Sequence, residues 1–346
     1  MVGEAAAHGA LTHLALFYRD QAGYLGGVRE FAHDGLVGAE PVFVAVPGGK
    51  IGLVRAHLGE RFPQISYGDM AELGRNPGRI IPALRDFAEA HAGRRVRLIS
   101  EPVWPGRSAA ETREAAKHEA LINLAFSGIP ATIMCPYDVA ALAPMAIAEA
   151  RCTHPVIVQD GQPLASAEFA GPGFVPPQCH HPLPVPPGSA AALCYGADLR
   201  PVRRMVADHA GHAGLAAERA ADLVLAVSEI AANTLCHALG DGQLQVWHTE
   251  QEILCQIQDH GQITDPLAGQ QRQPASERGH GLWVVNQVCD LVEVRTGRAG
   301  TTVRLHMRLG EVRTSPPRGP LPPQAPARGP LPQAAGTART PPGSPC

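Results

Sequence analysis

Glu229, Asn233 and His237 recur at intervals of four within Glu218–His237. At 100° per residue of a helix they fall within about 80° of one another. Leu223, Val224, Val227, Ile230, Ala231 and Leu235 take the opposite side. Such a helix buries its apolar side and presents an acid, an amide and an imidazole to a ligand; alone, the pattern also fits a solvated polar face. Downstream, the odd positions Ile253, Cys255 and Ile257 form an apolar set, and Asp259 shares their side of the strand. A carboxylate at the core-facing end of a strand needs a donor. Gly261 follows, where the missing side chain lets a flat ring approach the backbone. A polar loop then leads through Glu277-Arg278-Gly279-His280-Gly281 into the apolar Leu282-Trp283-Val284-Val285. A glycine-rich entry to a helix is a place where backbone N–H groups can hold phosphate. Thr301 has the strand parity of Val303 and Leu305.

The elements that must position these residues run from about Leu199. Two helices (Leu199–Ala213, Ala216–Ala238), two strands, the polar loop, a helix and two strands predict an α+β sandwich. Ahead of them the chain alternates strand-like and helical stretches. His13–Tyr18, Pro41–Val46, Arg95–Ser100, Ala131–Pro136 and Pro155–Gln159 read as strands. Tyr24–Leu36, Gly52–Phe62, Ile80–Ala92, Ala109–Phe126 and Val139–Ala150 carry helical spacing. Repeated β-α units imply a parallel, helix-covered sheet.

In order and spacing, ExxxNxxxHA, DxG, RGxGL and GTT resemble the N, G1, G2 and G3 boxes of the Bergerat-fold ATPases. That superfamily includes histidine kinases, gyrase-type topoisomerases and Hsp90-type chaperones. Within it, Leu199–Leu309 is similar to the anti-sigma-factor serine kinases, through the His237-Ala238 ending, the short lid and the compact segment that begins Gly281-Leu282-Trp283. The resemblance implies ATP and Mg²⁺ as cofactors. Asn233 would place its amide oxygen on Mg²⁺, and Glu229 would act as base toward the attacking hydroxyl or water. Asp259 would accept from the adenine amino group, with Thr301 nearby through water, while Gly261 makes room for the base. Gly279 and Gly281 would offer amides to the phosphates, and His237 and Arg278 belong to the same boxes. The family's DxGxG is here Asp259-His260-Gly261-Gln262-Ile263, without the second glycine.

Two motifs of the N-terminal half fail. Val46-Pro47-Gly48-Gly49-Lys50-Ile51 follows a strand, but a phosphate loop needs Gly at 44 and Ser or Thr at 51, and the chain has Val44 and Ile51. Lys117-His118-Glu119 is similar to a phosphoacceptor His-Glu pair, yet it lies in an ordinary helix of the β-α series, so His118 reads as structural. The combination of HLALFYRD (His13–Asp20), DMAELGRNPGRIIPALRDF (Asp69–Phe87), SEPVWPGRS (Ser100–Ser108), KHEALINLAF (Lys117–Phe126) and CPYD (Cys135–Asp138) resembles the MEDS sensory domain. That domain is named for methanogens, methylotrophs and a dichloromethane-responsive regulator. The resemblance implies a RecA-like α/β fold without its phosphate loop, sensing a small molecule. His13, Tyr18, Arg107, Glu119 and Tyr137 are the polar groups inside these motifs, and they are the candidate ligand contacts.

The 346 residues fit about two domains. Apolar residues at 45% and charged residues at 18% predict a mostly globular chain. The Gly and Pro excess sits in Gly171–Gly188 and in Thr314–Cys346, where Arg318-Gly319-Pro320-Leu321-Pro322 recurs at Arg328–Pro332. The expected division is a sensory domain at 12–165, a Pro-rich linker at 166–197, the ATPase domain at 198–310 and a disordered tail at 311–346. Cys179-His180-His181 lacks a second ligand pair, so no metal is expected there. Eight scattered cysteines without CxxC read as reduced thiols. No Lys or Arg precedes Arg19, and the uncharged run Ala120–Tyr137 carries breakers, so neither a signal peptide nor a membrane span is expected and the location is cytoplasmic. A formal charge of −3 argues against binding nucleic acid mainly by charge, and no helix-turn-helix is evident.

These readings describe a small-molecule sensor controlling a kinase. Its substrate would be Ser or Thr of an anti-sigma-factor antagonist, and it could also hold a sigma factor or form a homodimer. The alternatives are a sensor histidine kinase and a nucleotide-switched regulator with little turnover.

Overall fold

The computed structural model describes residues 11–59, 64–237, 240–271 and 281–310. Its first sheet is built by β1 (Thr12–Tyr18), β2 (Val42–Val46), β3 (Ser66–Asp69), β4 (Val96–Ser100), β5 (Ala131–Asp138), β6 (Val156–Gln159) and β7 (Gln162–Ala165). Their spatial order is β3-β2-β4-β5-β1-β6-β7, parallel throughout except for the β6–β7 hairpin. Helices α1 (Gln21–Val37), α2 (Gly48–Leu58), α3 (Met70–Leu73), α4 (Ile80–Ala90), α5 (Ala109–Ala125) and α6 (Pro144–Thr153) connect the strands. β2 is buried at every position, as a strand covered on both faces must be. Two apolar cores flank the sheet, one around Phe43, Leu84, Leu98 and Ile133, the other around Leu16, Val28, Val44 and Met134.

Local chemistry sets the helix ends. Ser108 and Glu111 form a capping box on α5, with reciprocal bonds of 3.2 and 2.8 Å. α6 starts at Pro144, five residues later than the apolar spacing predicts. Asp138 holds the intervening turn by accepting from the amides of Ala140 and Ala141 at 3.0 and 3.1 Å, and Pro144 suits a first helical turn.

The second sheet has the order β11-β12-β10-β9-β8 and is antiparallel. It comprises β8 (Ala191–Tyr195), β9 (Gly242–His248), β10 (Glu252–Asp259), β11 (Leu291–Gly297) and β12 (Gly300–Arg308). Helices α7 (Arg200–His212), α8 (Ala217–His237) and α9 (Gly281–Val288) pack on one face through Val206, Val227, Ile230, Ile257, Val285 and Leu305. The α/β plus α+β architecture is the expected one.

Three strands fall outside the sequence reading. β3 is four residues long and contains Gly68, β7 contains Pro163 and lies at an edge, and β8 follows a Pro-rich run. β8 corrects the expected linker of 166–197: its residues pair with β9, so the second sheet begins before 198. The Pro-rich stretch is also packed. Cys179 is buried, Arg295 Nε donates to the His181 carbonyl at 3.2 Å, and Arg304 donates to that of Pro184 at 2.5 Å. The tail at 311–346 lies outside the described residues. No described helix is long and apolar enough to cross a membrane, and the seven described cysteines are free thiols.

The second sheet's other face is polar and buried. Gln256, Glu293, Arg295, Arg304 and His306 are each no more than 7% exposed. α5 covers part of this face. Arg295 Nη1 donates to Glu114 at 2.6 Å and Arg113 to Glu293 at 3.3 Å; Arg308 donates to Glu111 at 2.6 Å. The two domains therefore meet through ion pairs.

Candidate functional site

α8 and the start of α9 bring the predicted residues together. Glu229 and Asn233 are half-buried, one turn apart, and Gly281 is buried against them. A Cβ at Gly281 would lie 3.0 Å from Glu229 Oε2 and 3.1 Å from Asn233 Nδ2. Glycine lets the α9 N-terminus come this close without a shift of either side chain. The first amides of a helix have no partner within it and sit at the positive pole of its dipole, so this end favours an anion. His237 is the exposed last residue of α8, farther along the same face. Arg278 and Gly279 lie outside the described residues.

Asp259 closes the other end of the site. Its Oδ1 accepts from the Gly261 amide at 2.8 Å, and its Oδ2 accepts from Thr234 Oγ1 at 2.8 Å. The donor that the carboxylate required is thus supplied twice, with lone pairs left over for an incoming N–H. Thr301 is the register partner of Asp259 and donates to the Gly261 carbonyl at 2.9 Å. Thr296 sits 3.0 Å from Thr301 and accepts from the Ile263 amide at 3.0 Å. These bonds tie the loop after β10 to β11 and β12. The hydroxyl of Thr301 therefore shapes the loop directly.

Sequence reasoning missed Thr234, Tyr195 and Thr296. Thr234 is buried and receives the Tyr195 hydroxyl at 3.1 Å. A signal was present, because Thr234 is a hydroxyl residue on the apolar side of α8. Tyr195 gave none, since its strand went unrecognised.

The sensory candidates divide into three places. His13, Glu119 and Tyr137 converge: His13 Nε2 lies 3.3 Å from Glu119 Oε2, and Tyr137 packs edge-on against His154 at 5.6 Å. Burial outweighs the neighbouring carboxylate at His13 and lowers it to about 4. Tyr18 is elsewhere. Lys50 donates to its hydroxyl at 2.8 Å and to Glu101 at 2.5 Å, and Tyr24 donates to Glu101 at 3.2 Å. The failed phosphate-loop lysine is thus an ion-pair partner. Burial pushes Glu101 up to about 7 against the pull of Lys50. Tyr18 also borders a groove of about 860 Å³ beside α1, with Leu16, Phe31, Met134 and Val158. Arg107 is apart from both: it stacks 3.6 Å over Trp104 and donates to the Gly74 carbonyl at 2.6 Å. His118 is buried at 2% exposure and borders an interdomain cavity of about 190 Å³ with Leu282, Asn286 and Thr296.

A helix face bearing acid and amide, a glycine at a helix N-terminus and a strand-end aspartate thus stand over one five-stranded antiparallel sheet. Residues 196–307 match the family model of the histidine kinase-like ATPase domain. Residues 12–155 match that of MEDS, the MEthanogen/methylotroph, DcmR Sensory domain. The chain is a MEDS domain followed by a histidine kinase-like ATPase domain, the architecture of a signalling regulator. No curated protein matches it.

Proposed function

We propose that the C-terminal domain binds ATP with Mg²⁺ between α8 and α9 and phosphorylates a Ser or Thr of a protein partner of the anti-sigma-factor-antagonist type. The close approach of Gly281 to Glu229 and Asn233 supports this reading, because an acid, an amide and a helix N-terminus near one point are what a base, a metal ligand and phosphate-binding amides would need. The donor chemistry fits: a hard cation takes the amide oxygen of Asn233, and Asp259 accepts from an exocyclic amine. When bound, ATP supplies the phosphoryl group. Glu229 takes the proton from the attacking hydroxyl, Asn233 orients the metal, and the α9 amides neutralise phosphate charge.

The MEDS domain would regulate this site from across the ion-paired interface, with a small apolar molecule in the groove beside Tyr18. A histidine-kinase reading needs an accessible acceptor, and His118 is enclosed.

The test is incubation of the full chain with radiolabelled ATP and candidate partner proteins. The expected product is a phosphoprotein stable to mild acid. Label lost in acid and retained in alkali would assign the acceptor to histidine. ATP binding without any transfer would leave a nucleotide switch.

A further inference from the structure

Independently of the ATP site, we infer that His13, Glu119, Cys135 and His154 form a zinc site inside the MEDS domain. The four side chains come from four elements: β1, α5, β5 and the C-terminal end of α6. Each is at most 1% exposed, and one donor atom from each lies within 4.8 Å of the others. His13 Nε2 and His154 Nε2 stand 3.3 and 3.2 Å from the same oxygen, Glu119 Oε2, and Cys135 Sγ is 3.5 Å from His13 Nε2. Tetrahedral zinc with bonds of ~2.0–2.3 Å requires donor–donor edges of ~3.3–3.8 Å, so these separations are already close to those of a loaded site.

Hydrogen-bond polarity explains why a cation belongs at the centre. The Asn123 amide is fixed by its Nδ2, which donates to the Thr153 carbonyl at 2.8 Å. Its oxygen therefore faces His13 Nδ1 at 3.2 Å, and that nitrogen carries the proton. His154 Nδ1 likewise donates to the Ala150 carbonyl at 2.8 Å. In neutral imidazoles both Nε2 atoms then carry lone pairs, and both are aimed at a carboxylate oxygen. His154 Nε2 and both Glu119 oxygens lack a well-formed hydrogen bond. Three acceptors facing one another in a dry core repel unless a proton or a metal cation lies between them, and a metal would satisfy all three at once together with Cys135.

The ligand types choose the ion. Two imidazoles, a thiol and one carboxylate suit Zn²⁺, whereas Mg²⁺ and Ca²⁺ prefer all-oxygen shells. On binding, Cys135 releases its thiol proton to solvent and the thiolate sulfur bonds the metal. Thiolate and carboxylate together balance the two positive charges. Asn123 and the Ala150 carbonyl are the outer partners that hold each ring in its ligating tautomer. With four protein ligands the site is closed, which is the structural type. It would clamp α5, whose earlier turns carry Glu111, Arg113 and Glu114 to the ATPase sheet.

The experiment uses the full chain, purified without chelator. Metal analysis should give one zinc per chain. After stripping, titration with Co²⁺ should produce a thiolate-to-cobalt charge-transfer band. Cys135→Ser should abolish that band, whereas Cys179→Ser should keep it, since Cys179 Sγ bonds the Arg113 carbonyl at 3.4 Å. Asn123→Ala, a positioning variant, should loosen zinc by ~10–100-fold. The parent spectrum decides the matter even if a variant fails to fold. A folded parent chain with substoichiometric zinc and no cobalt band overturns the site, as does a band that survives Cys135→Ser.

Discussion

The side chain of Asn76, in the MEDS domain, donates to both the backbone and side-chain oxygens of Asn286, in the ATPase helix α9, at 3.0 Å each. Asn286 also donates to the Gly269 carbonyl at 3.1 Å, and Asn76 Oδ1 accepts from the Gly78 amide at 3.1 Å. The helix whose N-terminus touches Glu229 and Asn233 is therefore anchored partway along by the other domain. Its position is an interdomain property.

Breaking this anchor should be felt in both domains. Asn286→Ala leaves the buried Asn76 amide without its side-chain acceptor, at a cost of ~1–3 kcal/mol. Gly78→Ala attacks the same contact by size, since its Cβ would fall 2.5 Å from Asn286 Oδ1. Both variants should lower the denaturation midpoint and alter nucleotide affinity, though neither residue touches the nucleotide site. Unchanged affinity in a destabilised Asn286→Ala chain would uncouple the anchor from the site.

The interface also predicts a pH dependence. His306 lies between Glu252 at 3.1 Å and Glu293 at 3.2 Å. Burial pulls it down, but hydrogen bonds to and charges of these carboxylates outweigh burial, and the net direction is up. Its contribution is complete below the unfolded imidazole value of about 6.5 and is lost as pH rises through the higher folded value. Glu293 is opposite. Burial raises it, but bonding to His306 and the nearby arginines hold it below the usual carboxylate range. Its contribution is present above the unfolded carboxylate value and lost as pH falls through the folded one. Urea midpoints across pH should therefore fall on both sides of an intermediate maximum, and His306→Gln should flatten the alkaline side.

The ion pairs themselves should be costly to break singly. Glu114→Gln leaves Arg295, 7% exposed, without its 2.6 Å carboxylate partner and with Glu293 at 3.5 Å as the carboxylate that remains. A loss of ~1–3 kcal/mol is expected, because a buried charged donor loses one acceptor but keeps a second carboxylate. Replacing Glu114 and Arg295 together by apolar residues should recover only part of it, because Arg295 also bonds the His181 carbonyl and faces Glu293. A double variant as unstable as the sum of the singles would show that the charges act independently.

These relationships also mark how far the sequence could be read. Local periodicity sufficed to place Glu229 and Asn233 on α8 and Asp259 on β10, because α8 has one apolar face and the odd positions of β10 carry an apolar set that Asp259 continues. β3, β7 and β8 were not, since Gly68, Pro163 and the Pro-rich approach to β8 hide short strands that pairing stabilises. Asn76, Asn286 and Arg295 are polar residues buried against the other domain, and nothing local separates them from surface residues. The convergence of His13 with Glu119 was half legible: His13, Glu119 and Cys135 stood in recognised motifs, but strand register and a helix end bring Cys135 and His154 to them.

At the nucleotide site, two residues one turn apart should fail differently. Asn233→Ala removes an oxygen ligand, so affinity should fall mainly when Mg²⁺ is present. Glu229→Gln keeps size and reach but removes the base, so binding should persist while transfer falls by ~10²–10⁴-fold. Asp259→Asn can turn an NH₂ toward the adenine amine and should weaken ATP and ADP alike, with or without metal. Calorimetry with and without Mg²⁺, alongside transfer to partner protein, separates the three. Transfer by Glu229→Gln at the parent rate would remove that residue as the base.

Gly281→Ala tests the approach of α9 itself. Its methyl group would sit 3.0 Å from Glu229 Oε2 and 3.1 Å from Asn233 Nδ2, tighter than ordinary contact, on a helix that Asn286 keeps from sliding away. In helical geometry Ala is otherwise preferred over Gly by up to ~1 kcal/mol. Stability should therefore change little, or even rise, while the amides of the α9 N-terminus are displaced from the Glu229–Asn233 face. The expected outcome is weakened ATP binding with less effect on adenosine, because phosphate contacts are lost and base contacts at Asp259 remain. Equal weakening of ATP and adenosine would mean that α9 shapes the whole pocket. Unchanged ATP binding would show that its N-terminus does not meet phosphate at all.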